Sequence, residues 1–161
     1  MMQALDTPIG FIVGDSLGKL LKWLRILGFN AVPARDLRRG RATIDPKVYD
    51  IVELTRSRSI SAEEGKPLVR INTDHVFEQL AEVFSARRIT REHLQPFSRC
   101  TRCNTPIEII DKVDVRGRVP DYVWEMHDGF SRCPCCQRIF WRGTHAENVI
   151  RIIERIFQGE R

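Results

Sequence analysis

Short apolar runs alternate with helical stripes through the first half of the chain. Phe11, Ile12 and Val13 form a continuous apolar run after Pro8 and Gly10, the pattern of a buried strand. Leu17, Leu20, Leu21, Leu24 and Leu27 then recur at helical spacing, with Lys19, Lys22 and Arg25 mostly on the other side. Asp15 is placed to cap the start of this helix, and Gly28 can take the left-handed position at its end. Ala31, Val32 and Pro33 read as the next strand. A strand, helix, strand opening predicts an α/β fold with a parallel sheet.

The middle of the chain admits two readings. Asp45 as cap and Pro46 at the first helical position predict a helix carrying Val48, Ile51 and Val52. The run from Ile51 to Thr55 equally fits a strand, because periodicity does not separate the two in so short a segment. Leu68 to Ile71 reads as a strand. Thr73 or Asp74 would cap a following helix with Val76, Phe77, Leu80, Ala81 and Phe84 on its apolar face. Residues 87–99 form a polar connection with room for one helical turn. At the end of the chain, Ile150, Ile153 and Phe157 share one stripe, with Ile152 and Ile156 beside it, predicting a short amphipathic helix over residues 149–157.

Composition narrows the setting. All five cysteines lie from Cys100 onward, so residues 1–99 must fold on apolar burial alone. No charged start followed by an apolar run and cleavage site is present, and no apolar stretch approaches the roughly 20 residues that span a bilayer. The expectation is a cytoplasmic chain with no membrane contact, in which paired cysteines hold metal rather than form disulfides. The formal charge is +5, from 15 basic against 12 acidic side chains in residues 1–98 and 11 against 9 in residues 99–161. Arginine far outnumbers lysine and clusters at Arg35, Arg38, Arg39 and Arg41, at Arg56 and Arg58, and at Arg87, Arg88 and Arg91. Guanidinium forks suit phosphate oxygens, although solvated ion pairs would explain any one cluster.

Cys100-Thr101-Arg102-Cys103 and Cys133-Pro134-Cys135-Cys136 are two C-x-x-C knuckles. Two such turns complete a tetrahedral site for Zn²⁺, and four thiolates leave no open position for a substrate water, so the expected role is structural. An iron–sulfur cluster could use the same four thiolates. Cys135 is the odd thiol, His127 and His145 read as ordinary polar residues nearby, and Phe140 and Trp141 are expected to cover the site.

A metal-dependent nuclease needs carboxylates from separate elements to converge on Mg²⁺ or Mn²⁺. The candidates are Asp15, Asp36 and Asp74, two of them at points where the ends of parallel strands could meet. Each has a bland alternative: Asp15 and Asp74 as helix caps, Asp36 as a surface charge.

Residues 11–29, FIVGDSLGKLLKWLRILGF, and residues 97–145, from FSRCTRCNTPIE to RVPDYVWEMHDGFSRCPCCQRIFWRGTH, are similar to the Mut-seven C-terminal RNase family, with a looser likeness over residues 68–80, LVRINTDHVFEQL. The resemblance implies a PIN-like three-layer α/β sandwich with a short parallel sheet, followed by a zinc ribbon, and acidic residues that bind divalent metal for RNA cleavage. Carried over position by position, it also exposes departures. The first family aspartate falls on Gly14, with Asp15 displaced by one. Asp36 matches an expected acidic position. The family's L-T-R-D is L-T-R-S here, so Ser57 offers a hydroxyl where a carboxylate is expected. The same alignment makes residues 51–55 a strand.

The expected organisation is a compacted PIN-like domain over residues 1–95, a zinc ribbon over 96–148 and a terminal amphipathic helix over 149–161. Three functions compete: a metal-dependent endoribonuclease using Asp15, Asp36 and Asp74; an inactive RNA-binding protein; and a scaffold that binds a protein partner. Nothing in the residues specifies DNA.

Overall fold

The computed structural model describes residues 7–159. The chain divides into two compact units, Met1–Phe97 and Ser98–Arg161.

In the first unit, strands β1 (Ile9–Val13), β2 (Asn30–Pro33), β3 (Asp50–Thr55) and β4 (Leu68–Arg70) form one sheet in the order β2-β1-β3-β4. Every pairing is parallel. Both faces are covered, as a parallel sheet requires. Ile12, Val32 and Ile51 pack on one face with Leu37, Ile44 and Tyr49. On the other, Phe11 meets Phe29 edge-on at 5.3 Å, and Phe29 meets Phe84 at 6.4 Å. The period of two along β1 therefore sends adjacent residues into separate cores. Helices α1 (Gly18–Ile26) and α3 (Val76–Arg87) lie against each other, and the short α2 (Ala34–Arg38) follows β2 directly.

Helix α1 buries Leu20 and Leu24 as its leucine spacing predicts. Arg25 is also buried, against its expected polar side, because its Nε donates to the carbonyl of Ala31 at 2.9 Å. The helix ends as expected. Gly28 has φ +96°, the Phe29 N–H donates to the Leu24 carbonyl and the Gly28 N–H to that of Arg25. This is the Schellman arrangement.

Three expectations are corrected. The segment around Asp45 is a turn, not a helix: the Asp45 carboxylate accepts from the Lys47 N–H at 2.8 Å, and β3 begins at Asp50. Asp15 does not cap α1, whose N-cap is Leu17 without a side-chain bond. Neither Thr73 nor Asp74 caps α3, whose N-cap is His75. The polar connection does hold a single 3-10 turn, Arg91–His93.

The second unit contains an antiparallel sheet of β5 (Glu108–Ile110), β6 (Phe130–Arg132) and β7 (Ile139–Trp141). Two short helices, α4 (Lys112–Val115) and α5 (Asp121–Met126), lie between β5 and β6. Val115, Val123 and Phe130 form its small apolar cluster with Trp124 and Ile139. Helix α6 runs Thr144–Gln158, and its buried stripe is Ala146, Val149, Ile153 and Ile156. Ile150, expected on that stripe, is 51% exposed. Among the described residues no helix is long and apolar enough to cross a membrane.

Gly28 tests the fit of α1. A Cβ there would stand 2.3 Å from the Gln95 carbonyl oxygen. Gly28→Ala combines that backbone clash with an unfavourable φ, and is expected to destabilise the first unit by about 2–3 kcal/mol. Urea unfolding of the variant checks this; an unchanged midpoint would contradict the close approach.

Candidate metal centre and strand-end site

Two matching turns build the cysteine site. In the first, the Cys103 N–H donates to Cys100 Sγ at 3.5 Å, the Asn104 N–H to the Cys100 carbonyl at 2.8 Å, and the Cys100 N–H to the Thr105 carbonyl at 2.9 Å. In the second, the Cys136 N–H donates to Cys133 Sγ at 3.5 Å, the Gln137 N–H to the Cys133 carbonyl at 2.9 Å, and the Cys133 N–H to the Arg138 carbonyl at 2.9 Å. Asn104 and Gln137 both take the left-handed conformation, φ 61° and 62°. A residue in that region folds the chain back so that both thiols of a knuckle point the same way.

The four Sγ atoms lie within 4.8 Å of one another. Cys100 Sγ and Cys136 Sγ, from different knuckles, are 3.8 Å apart. A cation bonded at about 2.3 Å to four tetrahedral sulfurs would separate them by about 3.8 Å. The donor set therefore fits a tetrahedral metal ion. Cys135 is exposed, and Cys103, not Cys135, completes the group. Trp141 is 40% exposed and stands outside the apolar cluster, so the expected cover is incomplete; the buried ring of this unit is Phe130.

Burial pushes the thiols of Cys100 and Cys103 up, whereas the Arg138 N–H lowers Cys136 to about 7. Four close thiols cannot all ionise without a cation, so binding one expels protons.

The parallel sheet brings a second set of residues to one edge. Val13 is in register with Pro33 and Leu54, and Thr55 with Arg70. Asp15, Asp36, Ser57 and Asp74 all follow the carboxyl ends of these strands, the edge where open α/β sheets bind ligands. Two of the carboxylates, those of Asp15 and Asp74, are engaged by neighbours. Asp15 Oδ1 accepts from the Arg35 N–H at 3.2 Å and Oδ2 from Arg38 Nη2 at 3.0 Å. It thus caps the first turn of α2, which the preceding Pro33 leaves uncapped. Asp74 pairs with Arg56 at 2.5 Å. Asp36 lies in the first turn of α2, and its carbonyl accepts from the N–H groups of Arg41 and Ala42.

Among the described residues, the cysteines form the group of at least three acidic, histidine or cysteine ligands close enough to share an ion, and the three aspartates do not. The ion pairs do not lock them apart, since both are exposed and such pairs contribute about 0–1 kcal/mol.

Gly14 and Ser57 have their own local roles. The Gly14 N–H donates to the Leu54 carbonyl at 2.8 Å, and a Cβ at Gly14 would lie 3.1 Å from that oxygen. A side chain there would require the end of β3 to shift by a few tenths of an ångström. Ser57 Oγ lies 2.8 Å from Ser59 Oγ, and the Ser57 N–H donates to Thr55 Oγ1.

Sequence reasoning missed Glu82. Its carboxylate accepts from the N–H groups of Asn72 and Thr73 at 3.0 and 2.9 Å, tying α3 to the end of β4. Burial pushes this carboxyl up, but the hydrogen bonds from Thr73 and Asn72 outweigh it and hold it below its ordinary range. An acid on the polar side of a helix carries no signal of such a role.

An α/β sandwich unit followed by a four-thiol unit able to hold a metal defines the class of protein. The sequence model of the family described as the Mut7-C RNAse domain matches residues 9–153, so the chain belongs to the Mut7-C RNase family and its first unit is PIN-like. No curated protein and no solved structure matches the chain.

Metal affinity should rise with pH. The raised thiols must lose protons to bind, and below about 7 Cys136 also becomes protonated. Competition against a chromophoric chelator at pH 6 and pH 8 should show tighter binding at the higher value; equal affinities would speak against thiolate ligands.

Proposed function

We propose that this chain is an RNA-binding member of its family, in which arginines at the strand-end edge hold phosphate and the hard-metal centre is degenerate. The observation that carries the reading is the pairing of Asp15 with Arg38 and Asp74 with Arg56. A site for Mg²⁺ or Mn²⁺ concentrates uncompensated carboxylates. Here each of two candidate ligands faces a guanidinium, and Gly14 and Ser57 occupy positions where the family resemblance leads one to expect acids. Because the pairs are weak, a phosphate oxygen can replace either carboxylate as the arginine's partner.

The second unit is, on this reading, a zinc ribbon with a C-terminal helix. Zn²⁺ accepts four thiolates in tetrahedral geometry, and Cys100, Cys103, Cys133 and Cys136 would hold it. Such an ion supplies folding free energy rather than chemistry, since no coordination position remains for a substrate. The knuckle N–H groups of Cys103 and Cys136 orient the sulfurs and offset part of their negative charge.

A ribonuclease reading is the runner-up. It is favoured by the family match over residues 9–153 and by the placement of Asp15, Asp36 and Asp74 after strands of one sheet. On that reading these three would hold Mg²⁺ or Mn²⁺ and orient a water toward the phosphate. A protein-binding role draws on exposed Ile109, Val113, Tyr122 and Met126 in the second unit.

The deciding experiment offers end-labelled single-stranded and hairpin RNAs to the zinc-loaded chain with Mn²⁺, Mg²⁺ or EDTA, beside an Asp36→Ala control. Expected are salt-sensitive binding and no cleavage that depends on added metal. The Arg38→Ala, Arg56→Ala double variant should bind more weakly, with its salt slope reduced by about one per lost phosphate contact. Metal-dependent cleavage that disappears with Asp36→Ala would establish the ribonuclease instead. Removing zinc with a chelator should unfold the second unit, seen as loss of its dispersed amide resonances; a unit that stays folded would contradict the structural role.

A further inference from the structure

The amino ends of β1 and β3 border a cavity of about 650 Å³, at the edge of the sheet opposite the strand-end arginines. Lys66, Arg87, Arg88 and His93 line it, together with Tyr49 and Asp50. These cations come from separate stretches: Lys66 from the approach to β4, Arg87 and Arg88 from the end of α3, and His93 from the 3-10 turn. Asp50, the acid among the lining residues, pairs with Arg87 at 2.8 Å. Lys66 reaches Glu63 at 2.7 Å in an exposed pair, which is weak and readily exchanged.

Cations at the end of a helix have an ordinary explanation, because they complement the negative end of its dipole. That accounts for Arg87 and Arg88 but not for Lys66 or His93. Nor does it account for the Nε–H of Arg87, which is buried and meets no acceptor among the described residues. Buried donors without a partner are uncommon, and an acceptor from outside the chain is one way to satisfy this one. His93 contributes a donor of fixed identity. Its Nδ1 accepts from the Thr90 N–H at 3.1 Å, so the neutral ring carries its proton on Nε2. Arg88, whose φ of 52° is the left-handed conformation that ends α3, also borders the cavity.

We propose that this cavity is a phosphate site, distinct from the strand-end edge, in which Lys66, Arg87, Arg88 and His93 donate to phosphate oxygens. Four donors of this kind match the several acceptor oxygens of a phosphate group, and the net positive lining offsets the negative end of the α3 dipole, which alone would repel an anion. The RNA source of that phosphate rests on the RNA-binding reading; inorganic phosphate presents the same chemistry without RNA.

The test follows amide and histidine resonances of the full zinc-loaded chain during titration with inorganic phosphate, and separately measures binding of an RNA oligonucleotide. The variant is Lys66→Ala with Arg88→Asn. Asparagine tolerates the left-handed backbone and the Lys66 pair is exposed, so the fold is retained, as an unchanged spectrum away from the cavity would verify. Phosphate should shift resonances of Lys66, Arg87, Arg88 and His93 in the parent chain and those of Arg87 and His93 severalfold more weakly in the variant, and RNA should bind the variant with a shallower salt dependence. If phosphate moves no cavity resonance and the variant binds RNA as tightly as the parent chain, the proposal is overturned while the RNA-binding reading stands. If phosphate occupies the cavity and no RNA binds at low salt, the RNA-binding reading fails and the phosphate site remains.

Discussion

Parallel pairing of β1 with β2 on one side and β3 on the other is the constraint on which the first unit depends. It places Phe11 in one core and Ile12 in the other, and both faces of the strand must then be covered. It also aligns the strand ends, so that segments distant in sequence deliver Asp15, Asp36, Ser57 and Asp74 to one edge. A shared edge is not a shared site, however. Asp15 is drawn to the start of α2 and to Arg38, Asp74 is drawn to Arg56, and Glu82 is consumed by the turn before α3. Asp15, Asp74 and Glu82 thus serve structural contacts within the layered frame.

The second unit answers to a different constraint. Its apolar cluster is small, and four thiols within 4.8 Å of one another gain little from proximity unless a cation neutralises them. The repeated knuckle geometry supplies the preorganisation: two turns with the same hydrogen bonds and left-handed residues present their sulfurs at tetrahedral spacing. A metal held by these thiols would couple its binding to the folding of this unit, and the pH dependence of the first would then be a pH dependence of the second.

Strong periodicities were legible from the residues alone. The leucine spacing of α1, its Gly28 cap, and the apolar runs of β1 and β2 all depend on local geometry, as do the cysteine knuckles. What misled was residue type without tertiary context. Asp before a helix looks the same whether it caps that helix or reaches, as Asp15 does, to another. Asp45 and Pro46 signal a helix start, yet pairing of β3 with β1 outweighs that local preference from Asp50 onward. Arg25 fell on the polar side of its stripe and is buried because a carbonyl of β2 meets it. The helices α4 and α5 are too short to show a periodic pattern.

The central claim is that the strand-end edge is organised for phosphate rather than for a divalent cation. Electron paramagnetic resonance of Mn²⁺ added to the zinc-loaded chain tests it most directly, because bound and free Mn²⁺ give different signals and no substrate is needed. The account predicts a free-ion signal that stays unattenuated as protein is added. Saturable loss of that signal, reversed by Asp15→Asn or Asp36→Asn, would contradict it and place a hard-metal centre at the edge after all.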